Sequence, residues 1–152
     1  MNPNGQIPPQ DRLALRSRIS DLAQVLGWVH DLAKRYSISE DTEYSMDICL
    51  EEVLGNIIRH GYAGKDDGPM NISFASPRAG NFVLVVEDEA PQFNPLEAPE
   101  LPVMTSDNQV RLGGHGLRLL RHFSQSLKYE PTPTGNRMRM EFSAARSQAQ
   151  KK

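Results

Sequence analysis

A single cysteine, Cys49, leaves this 152-residue chain unable to form an internal disulfide. That lack points to a reducing, cytoplasmic setting. No basic leader followed by an apolar run opens the sequence. No apolar stretch approaches the roughly 20 residues that a membrane span needs, so no membrane partner is expected. A charge excess is missing too: 17 basic against 19 acidic side chains leave a formal charge of −2. That balance gives no electrostatic reason to expect direct contact with nucleic acid. Internal repeats are also lacking. What is present is one domain's length of chain, able to bury about 68–70% of its unfolded surface without staples.

Residues 1–10 are rich in Pro, Asn, Gln and Gly and read as a disordered leader; residues 144–152 read as a frayed polar tail. The domain between them, 11–143, opens with Leu13, Leu15 and Ile19 alternating with Arg16 and Arg18, the pattern of a short edge strand. Ser20 then offers an N-cap to a helix whose Leu22, Val25, Leu26, Val29 and Leu32 recur at helical spacing up to Tyr36. Ser39 caps a second helix, which stops at Gly61-Tyr62-Ala63-Gly64. Strands at 70–75 and 81–86 follow, joined by a hairpin loop at 76–80. Residues 91–110 hold four prolines and little periodicity; a connector of about 20 residues is usually a functional lid or disordered. A third helix opens at Leu112-Gly113-Gly114-His115-Gly116, and strands at 126–129 and 137–142 flank a turn at 133–136.

The order β-α-α-β-β-α-β-β places three helices on one face of a mixed, largely antiparallel sheet, a two-layer α/β sandwich. Arg16, Arg18, Arg137 and Arg139 are polar enough for the other face to meet water.

The second helix carries the most informative pattern. Glu52, Asn56 and His60 recur every four residues, and each step is offset by only about 40° around a regular helix. A carboxylate, an amide and an imidazole on one ridge of an otherwise apolar helix are costly to bury without a purpose. Blander readings stand beside this one. Glu52 can be a solvated carboxylate like its neighbour Glu51, and His60 can bond the last carbonyls of the helix. Asp88, which ends the apolar run Phe82-Val83-Leu84-Val85-Val86, can be an ordinary turn residue. A metal-hydrolase reading of the stripe fails on spacing, because zinc helices want two histidines at i and i+4 and Asn56 fills the second place.

Three segments in order carry a family likeness. Glu52-x3-Asn56-x3-His60-Gly61-Tyr62 resembles the N box of the ATPase superfamily shared by gyrase B, sensor histidine kinases and MutL-type repair proteins. Glu87-Asp88-Glu89-Ala90-Pro91-Gln92-Phe93-Asn94-Pro95 resembles its first glycine box, with Ala90 and Gln92 where glycines are usual and Asn94 where Asp is usual. Gly113-Gly114-His115-Gly116-Leu117-Arg118-Leu119-Leu120 resembles the second. The His-Gly-Tyr ending and the Phe-x-Pro after the first box are similar to those of the anti-sigma-factor serine/threonine kinases.

The resemblance implies a Bergerat-type ATP-binding fold that takes ATP and Mg²⁺. It implies that Asn56 supplies an oxygen to the metal, that Glu52 accepts or orients the attacking hydroxyl's proton, and that His60 contacts the phosphates or closes the site. Asp88 would meet the adenine amino group, with Ala90 and Phe93 beside it. The backbone of Gly113, Gly114, His115 and Gly116 would cradle phosphate at a helix start, with Arg111 near the γ-phosphate. The implied activity is phosphorylation of a small antagonist protein, alternating with capture of a sigma factor. The first helix, with Trp28 and Val29, would be a dimer face, although Trp28 also reads as a core residue. The glycine losses motivate a second reading: a non-catalytic partner-switching module of the same fold, with Ala90 resisting positive φ and Gln92 directed at the adenine wall.

Overall fold

A computed structural model describes residues 9–97 and 112–144. Strands β1 (Asp11–Arg16), β2 (Pro69–Arg78), β3 (Asn81–Asp88), β4 (Ser126–Thr132) and β5 (Gly135–Ser143) form one sheet in the order β1-β2-β3-β5-β4. Helices α1 (Ala23–Arg35), α2 (Glu40–Asn56) and α3 (Leu112–Phe123) pack on it. All four strand pairings are antiparallel, so the expected mixed sheet is corrected. Two hairpins and the two-helix excursion between β1 and β2 each reverse the chain; β3 and β4, joined through α3, run in the same direction, but β5 lies between them, so no neighbouring pair is parallel.

Alternation along the strands sends Leu15, Ile72, Phe74, Leu84, Val86, Met140 and Phe142 to one face, where they meet Val29, Leu32, Met46, Leu50 and Leu54 of the helices. The opposite face is polar and paired: Arg137 bonds Glu87 at 2.7 Å and lies 3.5 Å from Glu130, and Arg139 bonds Glu141 at 2.7 Å. Arg18 is not on that face, because β1 ends at Arg16; it pairs with Asp21 at the corner that follows.

Residues 19–22 wind a 3-10 turn, so Ser20 caps nothing and α1 begins at Ala23 without a side-chain cap. Val25, Val29, Leu32 and Ala33 make the buried stripe of α1, which leaves Leu26 60% exposed just outside it. Ser39 does cap α2, its Oγ accepting from the Thr42 N–H at 3.2 Å. Trp28 is half-buried against the core and donates its indole N–H to Asp11 at 3.1 Å. Among the described residues no helix is long and apolar enough to cross a membrane.

One carboxyl on α2 is poorly placed for its charge. Asp47 lies one turn from Glu43 and one from Glu51, and its Oδ1 is buried without a hydrogen-bond partner among the described residues. Burial, then the two neighbouring carboxylates, push it up to about 6, while His30 of α1, bonded to Glu43 at 2.9 Å, pulls the other way. A carboxyl raised on folding favours the native state below its unfolded value near 3.8, and that advantage is lost as pH rises through about 6. Asp47→Asn is therefore expected to stabilise the fold by about 1 kcal/mol at pH 8, after discounting the shift for partial solvent screening, and by almost nothing below pH 4. Urea midpoints at the two pH values check this; an equal change at both would contradict it.

Candidate nucleotide site

α2 stays regular through Asn56, and Glu52 lies one turn earlier on the same ridge. The Asn56 Nδ2 donates to Glu52 Oε2 at 2.8 Å, and Asn56 Oδ1 accepts from Arg59 Nη2 at 3.1 Å. Both Glu52 and Asn56 are half-buried. α3 closes against them: a Cβ built on Gly116 would stand 1.9 Å from Glu52 Oε2 and 2.5 Å from its Cδ. The buried backbone of Gly116 thus rests directly on the Glu52 carboxylate.

The third member of the ridge does not join them. Ile57–Gly61 forms a π-helical turn, closed by the Tyr62 N–H donating to Ile57 O at 2.8 Å. This wider turn breaks the regular angular step between Asn56 and His60, and His60 is exposed. The expectation of one continuous stripe is corrected at that residue. Gly113, Gly114 and His115 fall in the opening turn of α3. The surroundings of the His115 side chain, and Arg111 altogether, lie outside the described residues, as do residues 98–110 of the suggested lid.

Asp88 ends β3 and is only 7% exposed. Its Oδ1 accepts from the Ala90 N–H at 2.9 Å and from Asn136 Nδ2 at 2.8 Å, whereas Oδ2 carries no hydrogen bond among the described residues. Burial raises its pKa, and the two hydrogen bonds partly pull it back. β5 crosses very close here: a Cβ on Gly135 would come within 2.0 Å of the Asp88 carbonyl oxygen.

The departures in the first glycine box are accommodated. Ala90 is buried, and among the described residues only Ser37 and Ala63 are non-glycines with positive φ, so Ala90 bears no such strain. Its methyl faces Gly61, where a Cβ would approach it to 3.0 Å. Gln92 does not extend toward a base wall; its amide donates to the Thr132 carbonyl at 2.7 Å at the surface. Asn94 Oδ1 accepts from the Leu96 N–H at 2.9 Å, a turn that a shorter polar side chain of either type can make. Phe93 donates its backbone N–H to Asn136 Oδ1 at 2.9 Å and leaves its ring 62% exposed.

Two residues of this region escape a reading of the sequence. Tyr62 donates its hydroxyl to the Pro69 carbonyl at 2.8 Å and accepts from the Glu89 N–H at 2.7 Å, tying the end of β3 to the start of β2. Asn136, expected only in a turn, faces Asp88 across the β3–β5 register, 48 positions away. Nothing local marks it. A shallow cleft of about 230 Å³, lined by Leu96, Arg121, Ser124, Gln125, Ser126 and Leu127, lies toward the C-terminal end of α3 and includes none of these groups.

A profile of the histidine kinase-like ATPase domain matches residues 15–142. The serine/threonine-protein kinase BtrW of Bordetella bronchiseptica is 28% identical over 120 residues, covering 79% of this chain and 84% of that protein. An anti-sigma F factor of Halalkalibacterium halodurans is 30% identical over 84 residues, 55% of this chain and 57% of that one. Another, of Priestia megaterium, is 25% identical and spans 55% of this chain and 56% of that one. A solved histidine kinase domain from Erythrobacter litoralis has 15% identity and a TM-score of 0.49, covering 86% of this chain and 63% of that one. The chain belongs to the histidine kinase-like ATPase family, in the branch of the serine/threonine kinases and anti-sigma factors.

Proposed function

We propose that this protein binds Mg-ATP between α2, α3 and the end of β3, phosphorylates a serine or threonine of a small antagonist protein, and alternatively holds a sigma factor. The observation that carries this reading is the contact of Glu52, bonded to Asn56, with the backbone of Gly116. It sets the carboxylate just past the opening turn of α3, whose unpaired N–H groups favour phosphate. The donor set fits the metal: Mg²⁺ keeps several waters and takes phosphate oxygens, so the single Asn56 oxygen can suffice from the protein. When bound, the ion would neutralise charge on the phosphates.

The chain's own residues would do the rest. Asp88 presents Oδ2 to the exocyclic amino group of adenine while Oδ1 is occupied by Ala90 and Asn136. Glu52 takes or orients the proton of the attacking hydroxyl, held in place by Asn56. His60 and Arg111 are proposed at the phosphate end, and the segment from Pro91 to Val110 as the lid. A homodimer through α1 and a cytoplasmic location belong to the same proposal. The alternative, a non-catalytic switching module, rested on Ala90 and Gln92, and neither is strained or directed into the site.

With γ-labelled ATP and the antagonist, transfer to Ser or Thr is expected, and Glu52→Ala should slow it about 10²–10⁴-fold. Undiminished transfer in that variant would remove Glu52 from the chemistry. Absence of transfer by the unmodified protein would leave the switching module.

A further inference from the structure

Arg59 is exposed, yet its guanidinium turns back onto α2 instead of extending into solvent. It lies in the π-helical turn, and its Nη2 donates to Asn56 Oδ1 at 3.1 Å. Gly55 makes the room. The three atoms nearest to a Cβ built there are Arg59 Nη1 at 2.9 Å, Nη2 at 3.4 Å and Cζ at 3.5 Å. The Asn56 amide is thereby committed at both ends, since its Nδ2 donates to Glu52 Oε2 at 2.8 Å. Both partners fix its orientation: a flipped amide would set its oxygen against the carboxylate and its nitrogen against the guanidinium. Asn56 Oδ1 is also the one protein oxygen assigned above to Mg²⁺. Two cations on one carbonyl oxygen repel each other, so the guanidinium must yield that oxygen to the metal.

We propose that Arg59 occupies the metal-binding oxygen of Asn56 in the nucleotide-free protein and leaves it when Mg-ATP enters, so that this contact sets how strongly nucleotide binding depends on the divalent ion. This rests on the nucleotide reading above and adds a competitor for the metal ligand, built into the chain itself. Arg59 acts through Asn56. While it is seated, the amide stays turned with Nδ2 toward Glu52, and the oxygen is already aimed when the metal arrives. The same contact lowers the affinity for that metal. Gly55 belongs to the device, because a side chain there would displace the guanidinium. Inside a helix glycine is otherwise a poor choice.

The test compares calorimetric affinities for ATP with saturating Mg²⁺ and for ATP in EDTA, in the unmodified protein, Gly55→Ala and Arg59→Ala. Gly55→Ala evicts the guanidinium but keeps its charge. Alanine is the better helix former, and the atoms it meets end a flexible side chain, so this variant is expected to fold. Both variants are expected to enlarge, by about three- to tenfold, the gain in ATP affinity that Mg²⁺ brings. In Gly55→Ala the affinity in EDTA should change by less than about twofold. A cation that merely attracts phosphate would behave otherwise: Arg59→Ala would weaken both affinities and Gly55→Ala would change neither. In ¹⁵N spectra of the unmodified protein, Mg-ATP is expected to move the Arg59 guanidinium signals toward those of Gly55→Ala, and ATP in EDTA is not. If Gly55→Ala does not fold, Arg59→Ala supplies the comparison. An unchanged gain from Mg²⁺, or Arg59 signals that stay in place when Mg-ATP binds, overturns the role of Arg59 and leaves the nucleotide reading standing. Binding of ATP in neither condition by the unmodified protein overturns both.

Discussion

Gly116→Ala is expected to abolish most phosphoryl transfer while the protein stays folded. The added methyl would sit 1.9 Å from Glu52 Oε2, far inside any permitted contact. The obstacle is the end of a flexible side chain, so Glu52 can swing away at small cost. In doing so it gives up the hydrogen bond from Asn56 and the position beside α3. A displaced base or orienting group should slow transfer about 10²–10⁴-fold, as its removal would. Stability should change by less than about 1 kcal/mol, since Ala in a helix interior recovers about 0.5–1 kcal/mol over Gly. Transfer at the unmodified rate in a folded Gly116→Ala protein would mean that Glu52 does not act from the observed position.

Gly135→Ala is expected to have the opposite profile, a large loss of stability that brings loss of function with it. Its methyl would meet the Asp88 carbonyl oxygen at 2.0 Å, the Asp88 carbonyl carbon at 2.8 Å and the Glu89 Cα at 2.7 Å. All three are backbone atoms between paired strands, and none can rotate aside. Overpacking of this kind costs typically 1–3 kcal/mol, and the rigid neighbours place this case near about 3 kcal/mol. A drop in the melting temperature of about 10 °C follows for a domain of this size. Thermal and urea unfolding of purified Gly135→Ala check it, and a melting temperature within about 2 °C of the unmodified protein would contradict it.

The contrast between these two glycines shows what was legible in the chain. Helical spacing marked α1, α2 and α3, and alternation marked β2, β3 and β5, because burying one face imposes those periods. The Ser39 cap was legible for the same local reason. Glu52 and Asn56 were legible as neighbours because a regular helix fixes their distance. The break in angular step before His60 was not legible, because the π turn at Ile57–Gly61 leaves no trace in residue spacing. Asn136 and Tyr62 were missed because their partners come from strand register and from contacts far along the chain. Gln92 was sent the wrong way since nothing before the fold placed the Thr132 carbonyl within its reach.

Calorimetric titration of the unmodified protein with Mg-ATP bears most directly on a nucleotide site between Glu52, Gly116 and Asp88. Saturable binding of one ATP per chain at micromolar to submillimolar concentration is expected. A flat trace up to millimolar Mg-ATP would contradict it.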